Sequence, residues 1–348
     1  MALFVDTGRP GIAGELDAGN CLTIGLINNM PDAAIEATER QFTDLIRAAT
    51  PHAVVLLKLF SIPELPRSPA MRRAVAERYC DIAELWGSTL DGLIVTGAEP
   101  RAARLTDEPH WETLSAVVDW ARAHTASTIW SCLAAHAAVL HADGIERRAL
   151  PEKRCGVFDC RLAAEHPMTQ AFPEPLWLPH SRYNDLPEPA LVARGYSILT
   201  RSATAGVDTF AKLDGSFFLF FQGHPEYDAD TLLREYRRDA ARFLAGEVAD
   251  YPAMPLDYLT REAATLAEAF RTRACAERRG DLIAQFPKDA LAAGLQSPWR
   301  PAALGIYQKW VAYLCARKAE RGATNFPRRR VWRDWPASMR RAANAALR

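Results

Sequence analysis

Three residues of this chain have the types and the setting for covalent acyl chemistry: Cys132, His224 and Glu226. Cys132 follows a β-branched, apolar run, Ser127-Thr128-Ile129-Trp130-Ser131, and precedes an alanine-rich stretch, Leu133 to Leu140, with helical spacing. That order reads as strand, tight turn, helix, with the thiol on the turn. A thiol placed there meets the unpaired N–H groups of the first helical turn and the positive end of the helix dipole. Both favour the thiolate, the form that attacks a carbonyl. The competing reading is a cysteine used as a small buried hydrophobe at a helix start. His224-Pro225-Glu226 follows the apolar run Phe217 to Phe221. Pro225 disfavours helix before it, so an extended segment is expected, with His224 and Glu226 on one face. A carboxylate beside an imidazole fixes its tautomer and supports its protonated form. Alone, the tripeptide also fits a polar surface turn. Set beyond a buried strand, beside a strand-end cysteine, the three residues read as nucleophile, base and orienting acid.

Two further polar groups stand out. Pro179-His180-Ser181-Arg182-Tyr183 is dense enough for a site, although a hydrogen-bonded loop would have the same composition. Arg238 sits beside Arg234 and Arg237 on a helical stretch. Its alternatives are a solvated helix face or a paired contact with a substrate carboxylate.

The elements that must position these groups follow from apolar patterning. Leu22 to Ile27, Val54 to Phe60, Asp91 to Gly97 and Ser127 to Ser131 read as buried strands. Helices are expected from Ile35 to Ala48, with Asp32 as N-cap, from Trp111 to Ala123, and after Cys132. Strands apolar on both faces and alternating with helices imply a mostly parallel, doubly wound α/β sheet flanked by helices. Ligands bind such sheets beyond the carboxyl ends of the strands. Asn28-Asn29-Met30-Pro31, Thr96 to Pro100 and Ser131-Cys132 converge there. From Gly156 to Phe221 the pattern shifts to short strands and turns. Leu191 to Leu199, Asp208 to Leu213 and Ser216 to Phe221 are expected as antiparallel material, with a tight turn at Asp214-Gly215. Ala229 to Leu244, Arg261 to Glu277 and Asp281 to Leu295 read as helices.

The totals exclude several classes. The 348 residues carry 42 basic and 42 acidic side chains, so no global field calls for nucleic acid or membrane. No apolar run approaches a bilayer span, and the first 20 residues lack the apolar core of a signal peptide, so a cytoplasmic location is expected. Seven dispersed cysteines suit neither a disulfide scaffold nor a zinc site. No metal and no bound cofactor are expected.

With these pieces in order, the sequence resembles the homoserine O-acyltransferase family of methionine biosynthesis, whose fold is that of class I glutamine amidotransferases. The matching stretches are Ile24 to Pro31, Asp91 to Ala98, Ser127 to Cys132, Glu152-Lys153, His180 to Tyr183, and Gly223 to Asp228 through Arg238-Asp239. Trp299-Arg300 and Trp310 to Tyr313 resemble the family's closing helix. The resemblance implies that Cys132 carries the acyl group as a thioester, with His224 as proton acceptor and Glu226 as its partner. It places Lys153, Ser181, Arg182 and Arg238 at positions that contact substrate. Acyl-CoA is the implied co-substrate, and small molecules rather than nucleic acid or membrane are the implied partners; a homodimer is compatible with it. The implied organisation is an extension over residues 1–19, an acyltransferase domain over 20–317 with a helical insertion at 251–298, and a basic tail over 318–348.

The chain departs from that family's pattern in three places. A lysine-rich loop after the first Met-Pro is here Asp32-Ala33-Ala34. Leu133 and His136 stand where the family has tryptophan and glutamine. Arg101 occupies the position that separates acetyl from succinyl donors, and a guanidinium there favours an acyl group ending in carboxylate. Succinyl-CoA is therefore expected over acetyl-CoA, with L-homoserine as acceptor. L-Serine stays open as an acceptor, because the two differ by one methylene. A glutaminase-like hydrolase fits less well, since the Gly-x-Cys-x-Gly elbow is missing. A non-catalytic binding protein using the basic tail (Arg328 to Arg330, Trp332, Arg333, Trp335, Arg340, Arg341) is the remaining alternative.

Overall fold

The computed structural model describes residues 2–6, 21–170, 172 and 174–323. The arginine- and tryptophan-bearing tail from Arg328 to Arg341 lies outside the described residues. An eight-stranded sheet forms the centre. From one edge it runs Ala2–Asp6, Val54–Phe60, Cys21–Ile27, Gly92–Val95, Ser127–Ser131, Ser216–Phe221, Thr209–Asp214 and Ser197–Ile198. The first six are mutually parallel, and the last two pairings are antiparallel. This is the mostly parallel, helix-flanked α/β sheet that the apolar patterning predicts.

Both faces of the sheet are covered. Helices Ile35–Ala49 and Arg300–Ala323 close one face over Ile24, Leu26, Ile94 and Leu219. Trp111–His124 and Leu133–Asp143 close the other over Val95, Trp130 and Phe220. Gly92 is small for a reason: a Cβ there would meet Leu314 Cδ1 at 2.6 Å and Trp310 Cζ2 at 2.8 Å. The closing helix thus lies directly on the strand, and Trp310 Nε1 donates to Ser127 Oγ at 2.9 Å.

A second, four-stranded sheet is built from Gly206–Val207, Thr200–Ser202, Arg148–Leu162 and Leu176–Asp185. Gly156 on its long strand has φ of +146°, and a Cβ there would stand 2.4 Å from Leu256 O. That close approach lets the segment around Leu256 bridge onto the strand. Helix Thr231–Leu244 packs with Arg261–Glu277 and the short helix Lys288–Ala292 around a separate apolar cluster centred on Tyr236, Phe270 and Phe286.

Several expectations are corrected. Asp32 does not cap the first helix; Ala34 holds that position, and Asp32 Oδ2 accepts from Ser68 N at 2.8 Å. Leu191 to Leu199 is not one strand. Pro187 and Pro189 favour a helical first turn, so Glu188–Ala193 is helix and only Ser197–Ile198 joins the sheet. Asp281 to Leu295 is broken at Pro287 into a 3₁₀ turn and a five-residue helix. The N-terminal stretch, read as an extension, supplies an edge strand at Ala2–Asp6.

Trp310→Ala removes the side chain that fills the space left by Gly92. It is expected to cost about 3–5 kcal/mol, read as a lower midpoint in urea denaturation.

Candidate active site

The strand Ser127–Ser131 lies between two parallel neighbours. Val95 pairs with Trp130 on one side and Phe221 with Ser131 on the other. This register ends all three strands at one level, so residues 96–98, 132 and 222–224 emerge together. Cys132 N donates to Phe221 O at 2.7 Å, which fastens the turn to the neighbouring strand. At Cys132 the backbone has φ of +52° and ψ of −114°, a conformation that L-residues rarely adopt. Such strain costs on the order of 1–3 kcal/mol and persists only where the surroundings enforce it. Its effect is to lift the thiol clear of both strand and helix, leaving it half-buried.

Across the strand junction, His224 N donates to Pro179 O at 2.8 Å. Gly223 fits because a side chain would strike Asp208 Oδ1 at 2.6 Å and Pro179 O at 2.8 Å. The segment is not extended: Tyr227 N donates to His224 O, making a turn. Within that turn Nδ1 of His224 stands 2.8 Å from Glu226 Oε1, and the Cys132 sulfur lies near enough to the ring to act on it electrostatically. Burial works against a charged imidazole here. Interactions with Cys132 and Glu226 outweigh it and raise the His224 pKa well above the usual histidine value. Tyr227 stacks on the imidazole at 4.2 Å, and its hydroxyl donates to Glu235 Oε1 at 2.7 Å.

The remaining sequence candidates fall into three places. Lys153 and Arg238 both meet Asp239, with Nζ at 2.6 Å from one oxygen and Arg238 Nη2 at 2.8 Å from the other. Ser181 lies opposite Cys155 on the paired strands. Arg182 is buried beneath the histidine, donating to His180 Nδ1 at 3.2 Å and to Asp185 Oδ1 at 3.0 Å. Arg101 is exposed on the rim, where its backbone N–H donates to Glu108 Oε1 at 2.7 Å.

Sequence reading missed the layer under the triad. His136, one helical turn after Cys132, faces Gln222 Oε1 at 2.9 Å. Gln222 in turn donates to Asp185 Oδ1 at 3.2 Å and Val207 O at 2.7 Å. Burial and the Arg182 charge push the His136 pKa down to about 3, so it acts as a neutral hydrogen-bonding spacer. The sequence signals for this layer were the adjacency of Gln222 to the His-Pro-Glu turn and the departure at His136 from the family's pattern. Among the described residues no group of His, Cys, Asp or Glu could hold a metal ion, and no helix is long and apolar enough to cross a membrane.

A strained elbow cysteine near an imidazole–carboxylate pair, at the strand ends of a mostly parallel α/β sheet, is an arrangement suited to covalent acyl transfer. The family profile "Homoserine O-succinyltransferase" matches residues 13–321. The chain belongs to the homoserine O-succinyltransferase family and is an acyltransferase. It is 50% identical over 299 residues to a homoserine O-succinyltransferase of Rhodopseudomonas palustris, covering 86% of this chain and 90% of that one. It is 51% identical over 298 residues to the Bradyrhizobium japonicum protein of that name, covering 84% and 90%. A glutamine amido transferase structure from Methylobacillus Flagellatus superposes with a TM-score of 0.49 at 16% identity, over 84% of this chain and 95% of that one.

Replacing Cys132 by alanine removes one of the two groups whose interactions raise the His224 pKa. The His224 pKa is expected to fall, as followed by the ring resonances in an NMR titration. Glu226→Gln removes the other. The same downward shift is expected, with a loss of about 100-fold or more in kcat.

Proposed function

We propose that this enzyme transfers a succinyl group from succinyl-CoA to the hydroxyl of L-homoserine through a thioester on Cys132. The observation that carries this reading is the contact of the strained Cys132 with His224, itself oriented by Glu226, in a chain of this family. In the first step the thiolate adds to the thioester carbonyl. The C–S bond to coenzyme A then breaks, and the His224 imidazolium gives its proton to the departing thiolate. In the second step neutral His224 takes the proton of the acceptor hydroxyl as its oxygen attacks the acyl-cysteine. The C–S bond to Cys132 breaks, restoring thiolate and imidazolium.

Each tetrahedral intermediate places an oxyanion beside the elbow. Leu133 N–H, the first of its helix, has no intrahelical acceptor. It lies 3.0 Å from where a Cβ on Gly97 would stand, so the glycine keeps this donor open. For the acceptor, Lys153, Arg238, Asp239 and Glu235 form a mixed-charge group suited to an amino acid zwitterion. Arg238 is half-exposed and offers its guanidinium to the carboxylate. Glu235 Oε2 is buried without a hydrogen-bond partner among the described residues, which suits an ammonium. Arg182, paired with Asp185, supports the strand that carries His180 and Ser181. All seven cysteines are free, the state maintained in the cytoplasm, where we place the enzyme.

Intact-mass measurement after mixing with acyl-CoA thioesters tests the route. A succinyl increment localised to Cys132, absent in Cys132→Ala and discharged by L-homoserine, is expected. Turnover without any such adduct, or discharge by L-serine alone, overturns it. Gly97→Val is expected to lower kcat by about 100-fold, with adduct formation slowed in rapid-quench experiments.

A further inference from the structure

We propose that Arg147 binds the free carboxylate of the acyl donor and so selects succinyl-CoA over uncharged acyl-CoA thioesters. This rests on the thioester route proposed above. Arg147 lies in the link between helix Leu133–Asp143, which the nucleophile heads, and strand Arg148–Leu162. Its Nη2 is 3.5 Å from Ala103 O, which sets the guanidinium against the loop that leaves strand Gly92–Val95. The same loop carries Arg101.

Three observations mark this side chain as awaiting an anion. Nη1 is buried and has no hydrogen-bond partner among the described residues. The nearby carboxylate Glu108 has Oε1 committed to the backbone N–H groups of Arg101 and Ala102, at 2.7 Å and 2.8 Å. Burial disfavours the Arg147 charge, while Glu108 and Cys132 lie near enough to support it electrostatically. A guanidinium nitrogen removed from water without an acceptor is costly. A carboxylate delivered by the substrate would relieve that cost through a charge-assisted hydrogen bond. In a succinyl thioester the second carboxylate sits two methylenes beyond the reacting carbonyl, which suits a cation at the edge of the cysteine's own crevice. Arg101 is exposed by contrast, and water screens a charge pair formed there.

The test compares kcat/KM for succinyl-CoA, butyryl-CoA and acetyl-CoA in the wild type, Arg147→Gln, Arg147→Lys and Arg101→Gln. Butyryl-CoA matches the carbon chain without the charge. Arg147→Gln is expected to lose about 100-fold with succinyl-CoA, while the uncharged donors change by less than about threefold. Arg147→Lys keeps the charge without the planar fork, and is expected to fall between wild type and glutamine with succinyl-CoA alone. A uniform loss with all donors would make Arg147 a support for its loop and overturn the proposal. So would a selective loss in Arg101→Gln with Arg147→Gln unaffected. If the wild type itself forms no succinyl adduct, the thioester route fails first, and that result is recognisable because it does not depend on any variant.

Discussion

The imidazole of His224 keeps its proton in a place that water scarcely reaches, because a sulfur and a carboxylate flank it. Everything else near the strand ends serves that arrangement. Without Glu226 and Cys132, burial would drive the ring to its neutral form, as it does at His136 and His180. Three buried histidines in one neighbourhood thus hold different protonation states. The difference lies in their neighbours: the Arg182 guanidinium acts on His136 and His180, and burial favours the neutral form of Asp208 beside His180, whereas His224 has Cys132 and Glu226 beside it.

The layer beneath the triad shows how such a charge pattern is held still. Asp185 collects Arg148, Arg154 and Arg182, and its carboxyl stays below the usual range despite burial. Gln222 ties that carboxylate to His136 on the helix that Cys132 heads. Asp208 accepts from Gly223 N and faces His180 at 3.3 Å. The two sheets are therefore joined beneath Cys132 and His224 by polar contacts as well as by apolar packing, in which Val207 shares a core with Phe210 and Phe220. Polar contacts are directional, and directionality is what keeps a histidine ring aimed at a sulfur. The apolar cores on the two faces of the large sheet supply cohesion instead.

Much of this was legible before any coordinates. Val54 to Phe60 and Ser127 to Ser131 are strands over the residues their patterning indicated, because β-branched and apolar runs of that length have few other uses in an α/β chain. The helices after Pro31 and Thr125's preceding segment were also visible from periodicity. Local rules failed where local preferences competed. Leu191 to Leu199 was expected as antiparallel material in a region of short strands and turns, but two prolines at a first helical turn prevailed. At His224-Pro225-Glu226 proline predicted extension, and a turn brings the two side chains together instead.

The sequence by itself determined which chemistry was available: a cysteine between a strand and a helix, an imidazole near a carboxylate, and a balance of charge that leaves affinity to local sites. Those follow from residue type and short-range order, which need no knowledge of distant neighbours. Tertiary structure alone decided the rest. Parallel pairing of Ser127–Ser131 with Ser216–Phe221 brings together groups separated by some ninety positions in the chain. It also sorts the arginines, burying Arg182 against Asp185, leaving Arg101 at the surface and leaving Arg147 half-buried, with Nη1 covered and unmatched among the described residues. Charge is a property of a side chain, but what that charge faces, and whether water stands between, depends on strand order and register.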